Sequence, residues 1–105
     1  MKKNAALPIV ALQEKADHVA GRLALVANAK RLLILCELVQ GERSVGALQA
    51  AVGLGQSALS QHLAKLREAG MVDTRREAQT IHYRISDPDV QVLMAALYEA
   101  FCKEE

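Results

Sequence analysis

Aromatic residues are almost missing from this 105-residue chain, which has two Tyr, one Phe and no Trp. Its core must therefore be assembled from Leu, Val, Ile and Ala, a composition that suits packed helices. Long apolar runs are missing as well. No stretch reaches the ~18 residues of a membrane span, and the N-terminus lacks the apolar block and cleavage pattern of a secretory signal. The expected setting is the cytoplasm of a bacterium-like cell, with no membrane partner. An excess of charge of one sign is also absent. Thirteen Lys and Arg stand against twelve Asp and Glu, a net charge of +1, so bulk charge alone gives no reason to expect a nucleic-acid partner. Cysteine is scarce: Cys36 and Cys102 lie far apart, and no Cys-x-x-Cys metal or redox motif exists. There is no Gly-rich phosphate loop, no Gly-x-Ser-x-Gly and no carboxylate pair with a cleft to sit in, so enzyme readings fail and no cofactor is implied. A chain of this length makes one domain, residues 1–105, able to bury roughly 60–70% of its unfolded surface.

What is present is organised around residues 55–70, Gly-Gln-Ser-Ala-Leu-Ser-Gln-His-Leu-Ala-Lys-Leu-Arg-Glu-Ala-Gly. Leu59, Leu63 and Leu66 recur at helical spacing and form one narrow apolar stripe. Ser57, Gln61, Ala64, Lys65 and Glu68 project the other way, with Ser60 beside them. Short polar side chains on that face can approach base edges in a major groove about 12 Å wide. Ahead of this helix, residues 44–52 read as a short helix and Gly53-Leu54-Gly55 as a tight turn, so the two helices spell helix-turn-helix. After it, residues 71–77 and 80–86 read as two strands joined at Ala78-Gln79, with Ile81, Tyr83 and Ile85 on one face. That hairpin is a wing. Arg75, Arg76, Gln79, His82 and Arg84 lie on it or face outward as candidates for phosphates or a minor groove.

The DNA candidates are therefore Gln56, Ser57, Ser60, Gln61, His62 and Lys65 on the helix, and Arg75, Arg76, Gln79, His82 and Arg84 on the wing. For His62 the plain alternative is packing against the turn; for Arg75 and Arg76 it is a solvated charge run. His18, His62 and His82 are too scattered to read as a metal cluster. Charge placement helps a little: residues 56–84 carry more Lys and Arg than acid, and residues 85–105 the reverse.

The rest of the chain reads as helices. Residues 1–7 are an expected tail, and Pro8 suits the first turn of a helix over residues 9–26. Asn28 can cap a second helix over 29–39, expected to be central and mostly buried, with Leu32, Leu35, Cys36 and Val39 as its stripe. Asp87 and Pro88 start a last helix to about Cys102, with Val90, Leu93, Met94, Leu97 and Phe101 in line. The expected fold class is mainly α, a winged helix-turn-helix of five helices and a β-hairpin. The first and last helices are more apolar than a monomer needs, which points to a homodimer through them.

Ala29-Lys-Arg-Leu-Leu-Ile-Leu35, the run Ser57-Ala-Leu-Ser-Gln-His-Leu-Ala-Lys-Leu-Arg-Glu-Ala-Gly-Met-Val72 and the wing's Tyr83-Arg-Ile85 resemble the ArsR/SmtB family of dimeric bacterial winged-helix repressors. The resemblance implies that the helix from Gln56 enters the major groove, that the first and last helices dimerise, and that an inducer releases a double-stranded DNA operator. Many members sense metals, and here the chain departs from them. Positions that carry thiolate ligands in one metal site are Ser44 and Gly46, and residues 87–105 contain no His, leaving Asp87, Asp89 and Glu99 as a poor zinc set. No metal is expected.

The plain reading of the two thiols is a small core hydrophobe at Cys36 and a stray terminal thiol at Cys102. Cys102 lies off its helix's apolar stripe, near Tyr98, which predicts partial exposure and reactivity. Leu33-Ile-Leu-Cys36-Glu-Leu and Leu97-Tyr-Glu-Ala-Phe-Cys102 look like the BigR-like and HlyU-like branch, in which a cysteine pair responds to persulfides and polysulfides. The resemblance thus implies a reactive-sulfur inducer, a bridge between Cys36 and Cys102, and sulfide-detoxification genes as targets. Thiol chemistry also permits a peroxide response. From another class, the fold suits a protein-interaction module that never reads DNA.

Overall fold

The computed structural model describes residues 7–103. The expected tail lies outside the described residues except for Leu7. In chain order the elements are α1 (Ile9–Glu14), α2 (Ala16–Val26), α3 (Ala29–Val39), β1 (Arg43–Ser44), α4 (Val45–Val52), α5 (Gln56–Glu68), β2 (Val72–Glu77), β3 (Thr80–Ile85) and α6 (Pro88–Phe101). The strands form one antiparallel sheet in the order β1-β3-β2. This is the winged helix-turn-helix expected from the sequence, with two differences.

The first helical segment is two helices, so six are present among the described residues instead of five. Lys15 leaves helical geometry at φ −104° and ψ 12°, and its N–H bonds back three residues to Leu12 O at 3.1 Å. A tightened turn of that kind breaks a helix unless packing holds both halves in line, and α1 buries no side chain at all. The second difference is β1, whose two residues pair Arg43 with Tyr83 and Ser44 with His82.

Local chemistry fixes the other boundaries. Asn28 Oδ1 accepts from the N–H groups of Lys30 and Arg31, both at 3.0 Å, and so caps α3. Ser44 Oγ accepts from Ala47 N–H at 3.1 Å to start α4, and Asp87 Oδ1 accepts from Asp89 N–H at 2.9 Å to start α6 behind Pro88. The end of α5 is a Schellman motif: Met71 N–H reaches Leu66 O and Gly70 N–H reaches Arg67 O, both at 3.0 Å. Gly70 makes this possible at φ +75°, where a Cβ would be strained.

The core gathers Leu59, Leu63 and Leu66 of α5, at most 2% exposed, with Leu48 and Val52 of α4, Ile34, Leu35 and Leu38 of α3, and Val90 and Met94 of α6. The α5 stripe is the expected one, whereas the α3 stripe is displaced. Ile34 and Leu38 share the buried face with Leu35, while Val39 is exposed and Leu32 half-buried. Cys36, expected to be buried, is exposed. A mostly apolar helix can turn several faces inward, and here Ile34, Leu35 and Leu38 join Leu48 of α4, Leu59 of α5 and Ile85 of β3 in one cluster.

One guanidinium joins three elements. Arg22 of α2 donates to Ala69 O at the end of α5 (3.0 Å) and pairs with Asp87, the residue that caps α6.

Candidate nucleic-acid interface and thiol site

The helix-turn-helix presents α5 with its leucines inward and Gln56, Ser57, Ser60, Gln61 and Lys65 exposed on the outer side. One flank of that side meets the wing. A groove of about 480 Å³ runs between Ser60, Ala64, Arg67 and Glu68 of α5 and Tyr83 of β3. Arg67 was not among the sequence candidates; it belongs to this rim.

The wing sorts its basic residues by pleat. The register Val72–Ile85, Thr74–Tyr83 and Arg76–Ile81 puts Arg76 on the inner face with Tyr83, and Gln79 is exposed at the tip beside Ala78. Arg75, His82 and Arg84 fall on the opposite face, and all three meet acids. Arg75 Nε and Nη2 grip Glu42 at 2.7–3.0 Å, and its Nη1 reaches Glu77 at 3.3 Å. Arg84 pairs with Asp73 at 3.4 Å, and His82 Nε2 lies 3.6 Å from Glu77. Hydrogen bonds from Arg75 hold the Glu42 carboxyl below its ordinary range, and the same bonds push the Arg75 guanidinium up. Of Arg75, Arg76, Gln79, His82 and Arg84, expected on the wing or facing outward, the structure brings Arg75, His82 and Arg84 together on one face, each with a carboxylate.

His62 sits half-buried on the other flank of α5, where its Nδ1 lies 3.3 Å from Arg31 Nη1. Its pKa is pushed down, first by burial and then by the charges of Arg31 and Lys65. Arg31, three residues after the cap at Asn28, was not among the sequence candidates.

The two thiols share a cavity. Cys36 of α3 and Cys102, at the end of α6, line an apolar space of about 330 Å³ with Leu32, Met94, Leu97, Tyr98 and Phe101. Both are free thiols open to solvent. Burial pushes the Cys36 thiol pKa up, and the nearby charges of Cys102 and Glu37 push the same way. A smaller fraction of Cys36 is therefore thiolate at neutral pH than for an unhindered thiol. Among the described residues, no three His, Cys, Asp or Glu side chains gather as a metal site, and no helix is long and apolar enough to cross a membrane.

A family model for bacterial regulatory proteins of the arsR family matches residues 28–74. The chain is also 46% identical over 99 residues to the biofilm growth-associated repressor of Agrobacterium fabrum, covering 94% of this chain and 85% of that one. The chain belongs to the arsR family. Its fold matches the crystal structure of the transcriptional repressor BigR from Xylella fastidiosa with a TM-score of 0.87 at 40% identity, over 93% of this arsR-family chain and all of that one. A solution structure of the homodimeric winged helix-turn-helix domain of Mb0332 from Mycobacterium bovis matches at a TM-score of 0.70 and 33% identity, over 94% of this chain and 86% of that one. The BigR-like branch named from the cysteine segments is thus the one its relatives occupy.

Proposed function

We propose that this arsR-family chain is a homodimeric, cytoplasmic transcriptional repressor that releases its operator when reactive sulfur joins Cys36 to Cys102. The observation that carries the reading is that both thiols open onto one apolar cavity between α3 and the end of α6. The dimer is supported by apolar side chains left open on α1 and α6, with Phe101 82% exposed, and by the homodimeric relative.

The chemistry needs only the persulfide as oxidant. Cys102 thiolate attacks the outer sulfur of R–S–SH, forming Cys102–S–SH and expelling RS⁻, which takes up a proton. Cys36, once deprotonated, attacks Cys102 Sγ, closing a disulfide and releasing hydrosulfide. If both cysteines are first persulfidated, their condensation leaves a trisulfide and again expels hydrosulfide. The raised pKa of Cys36 suits the resolving role. Either bridge ties α6 to α3, and two reading helices must span half-sites about 34 Å apart, so a small change in dimer geometry weakens binding. Genes that remove sulfide are the proposed targets.

The test is a titration of labelled DNA from upstream of the gene with reduced, peroxide-treated and persulfide-treated protein, followed by anisotropy and intact mass. Affinity lost only with persulfide, alongside a bridged mass, supports the reading. Equal loss with peroxide assigns a general thiol sensor, which the exposure of both thiols favours as a second reading. Absence of DNA binding in every state assigns an interaction module.

The wing supplies a separate prediction. Arg76→Ala is expected to weaken operator binding several-fold and to lower the slope of log affinity against log salt by about 1 per protomer. Arg75→Ala is expected to change both far less, because Arg75 is already neutralised by Glu42. Equal effects of the two substitutions would contradict this division of the wing.

A further inference from the structure

Four arginines in this molecule face acids: Arg22, Arg43, Arg75 and Arg84 pair with Asp87, Glu37, Glu42 and Asp73. Arg31 does not. It is half-buried, and the two hydrogen bonds of its side chain go to neutral acceptors, Nε to Leu25 O and Nη1 to His62 Nδ1. A guanidinium drawn partly out of water and held by neutral groups carries its charge with no acid paired to it among the described residues.

Its place in the fold says what would balance it. Successive residues of a helix turn by about 100°, so His62 lies one step round from Gln61 toward the flank away from Tyr83 and the wing. Lys65 lies one turn further along on the same flank, and the charges acting on His62 come from Arg31 and Lys65. The neighbouring Lys30 reaches the end of α4, its Nζ 3.4 Å from Val52 O. The outer face of α5 is therefore bordered by the wing on one side and by Arg31, His62 and Lys65 on the other.

The contact also sets the imidazole. Arginine has no acceptor, so Nδ1 must accept the hydrogen bond, and neutral His62 carries its proton on Nε2. We propose that Arg31 and His62 form a clasp for a DNA backbone phosphate beside the reading helix. Arg31 supplies the charge and holds His62 with Nε2–H as a second donor. This rests on the DNA-binding reading and adds a contact to it. Phosphate contacts fix register without reading sequence, so the clasp acts on every duplex alike.

The test uses the reduced full-length protein with two labelled duplexes, the upstream promoter segment and a scrambled sequence of the same length, titrated across salt concentrations. Arg31→Met is expected to weaken both about tenfold and to lower the salt slope by about 1 per protomer. Arg31→Lys keeps the charge and is expected to restore the slope. His62→Leu is expected to weaken both duplexes with the slope unchanged at pH 8, because a neutral donor displaces no counterion. Nitrogen NMR of the wild-type imidazole is expected to show protonation at Nε2, with the tautomers mixed in Arg31→Met. Equal losses in Arg31→Met and Arg31→Lys with an unchanged slope would confine Arg31 to holding the α2–α3 turn and overturn the clasp. A proton on Nδ1 would overturn it too. Wild-type protein that bound neither duplex would remove the DNA-binding reading itself, an outcome the variants do not mimic.

Discussion

Cys102→Ser protein is expected to hold its operator through persulfide treatment with less than a twofold change in affinity, whereas the unsubstituted chain loses about tenfold or more. Coupling between two sites is ordinarily worth about 1–3 kcal/mol, or roughly 5–150-fold in affinity, and a covalent tie between α3 and α6 is expected within that range. Cys36→Ser should separate the two chemical steps. Its Cys102 still gains a sulfur, seen by intact mass, but nothing resolves it and DNA binding persists. If either serine variant released DNA as the parent does, the shared cavity would be incidental. The measurement is anisotropy with the same duplex before and after treatment, with reductant restoring the parent's affinity.

The second large effect concerns assembly. Val10→Asp combined with Leu12→Asp is expected to leave a folded monomer whose operator affinity is at least 100-fold lower. Both side chains are more than half exposed, at 65% and 53%, and α1 contributes nothing to the protomer's buried core, so thermal stability at low concentration should barely move. The DNA effect is large because a dimer gains its second half-site at high effective concentration, an advantage of about 10²–10⁴. Sedimentation velocity and the DNA titration check the two halves independently. A double variant that stayed dimeric would place the interface elsewhere.

The parts of this molecule legible in the sequence are those where one residue type has one physical use. Leu59, Leu63 and Leu66 could only face a core, Asn28 and Asp87 could only cap helices of that pattern, and Gly70 allowed the chain to leave α5. Ambiguity entered where several solutions satisfy the same composition. α3 is apolar nearly all round, so its periodicity could not say whether Leu35 shares the core with Cys36 or with Ile34 and Leu38; the neighbours decided, and Cys36 came out exposed. β1 is two residues long and carries no alternation to detect. The basic residues of the wing were visible, but their division between two faces depends on register, and the acid that occupies Arg75 comes from Glu42, thirty-three positions away. Arg31 was overlooked for the same reason. Its meaning lies in a contact across 31 positions with His62.

The junction at Arg22 gives α6 a fulcrum. The helix is pinned at its start, where Asp87 is paired with the guanidinium that also holds the end of α5, and Cys102 stands at its far end. Fourteen residues make a rod of about 21 Å. A bridge that drew the far end by about 2 Å would therefore tilt the rod by about 5° about Asp87 instead of sliding it. Such a torque would fall on Arg22, the side chain that also holds the end of α5.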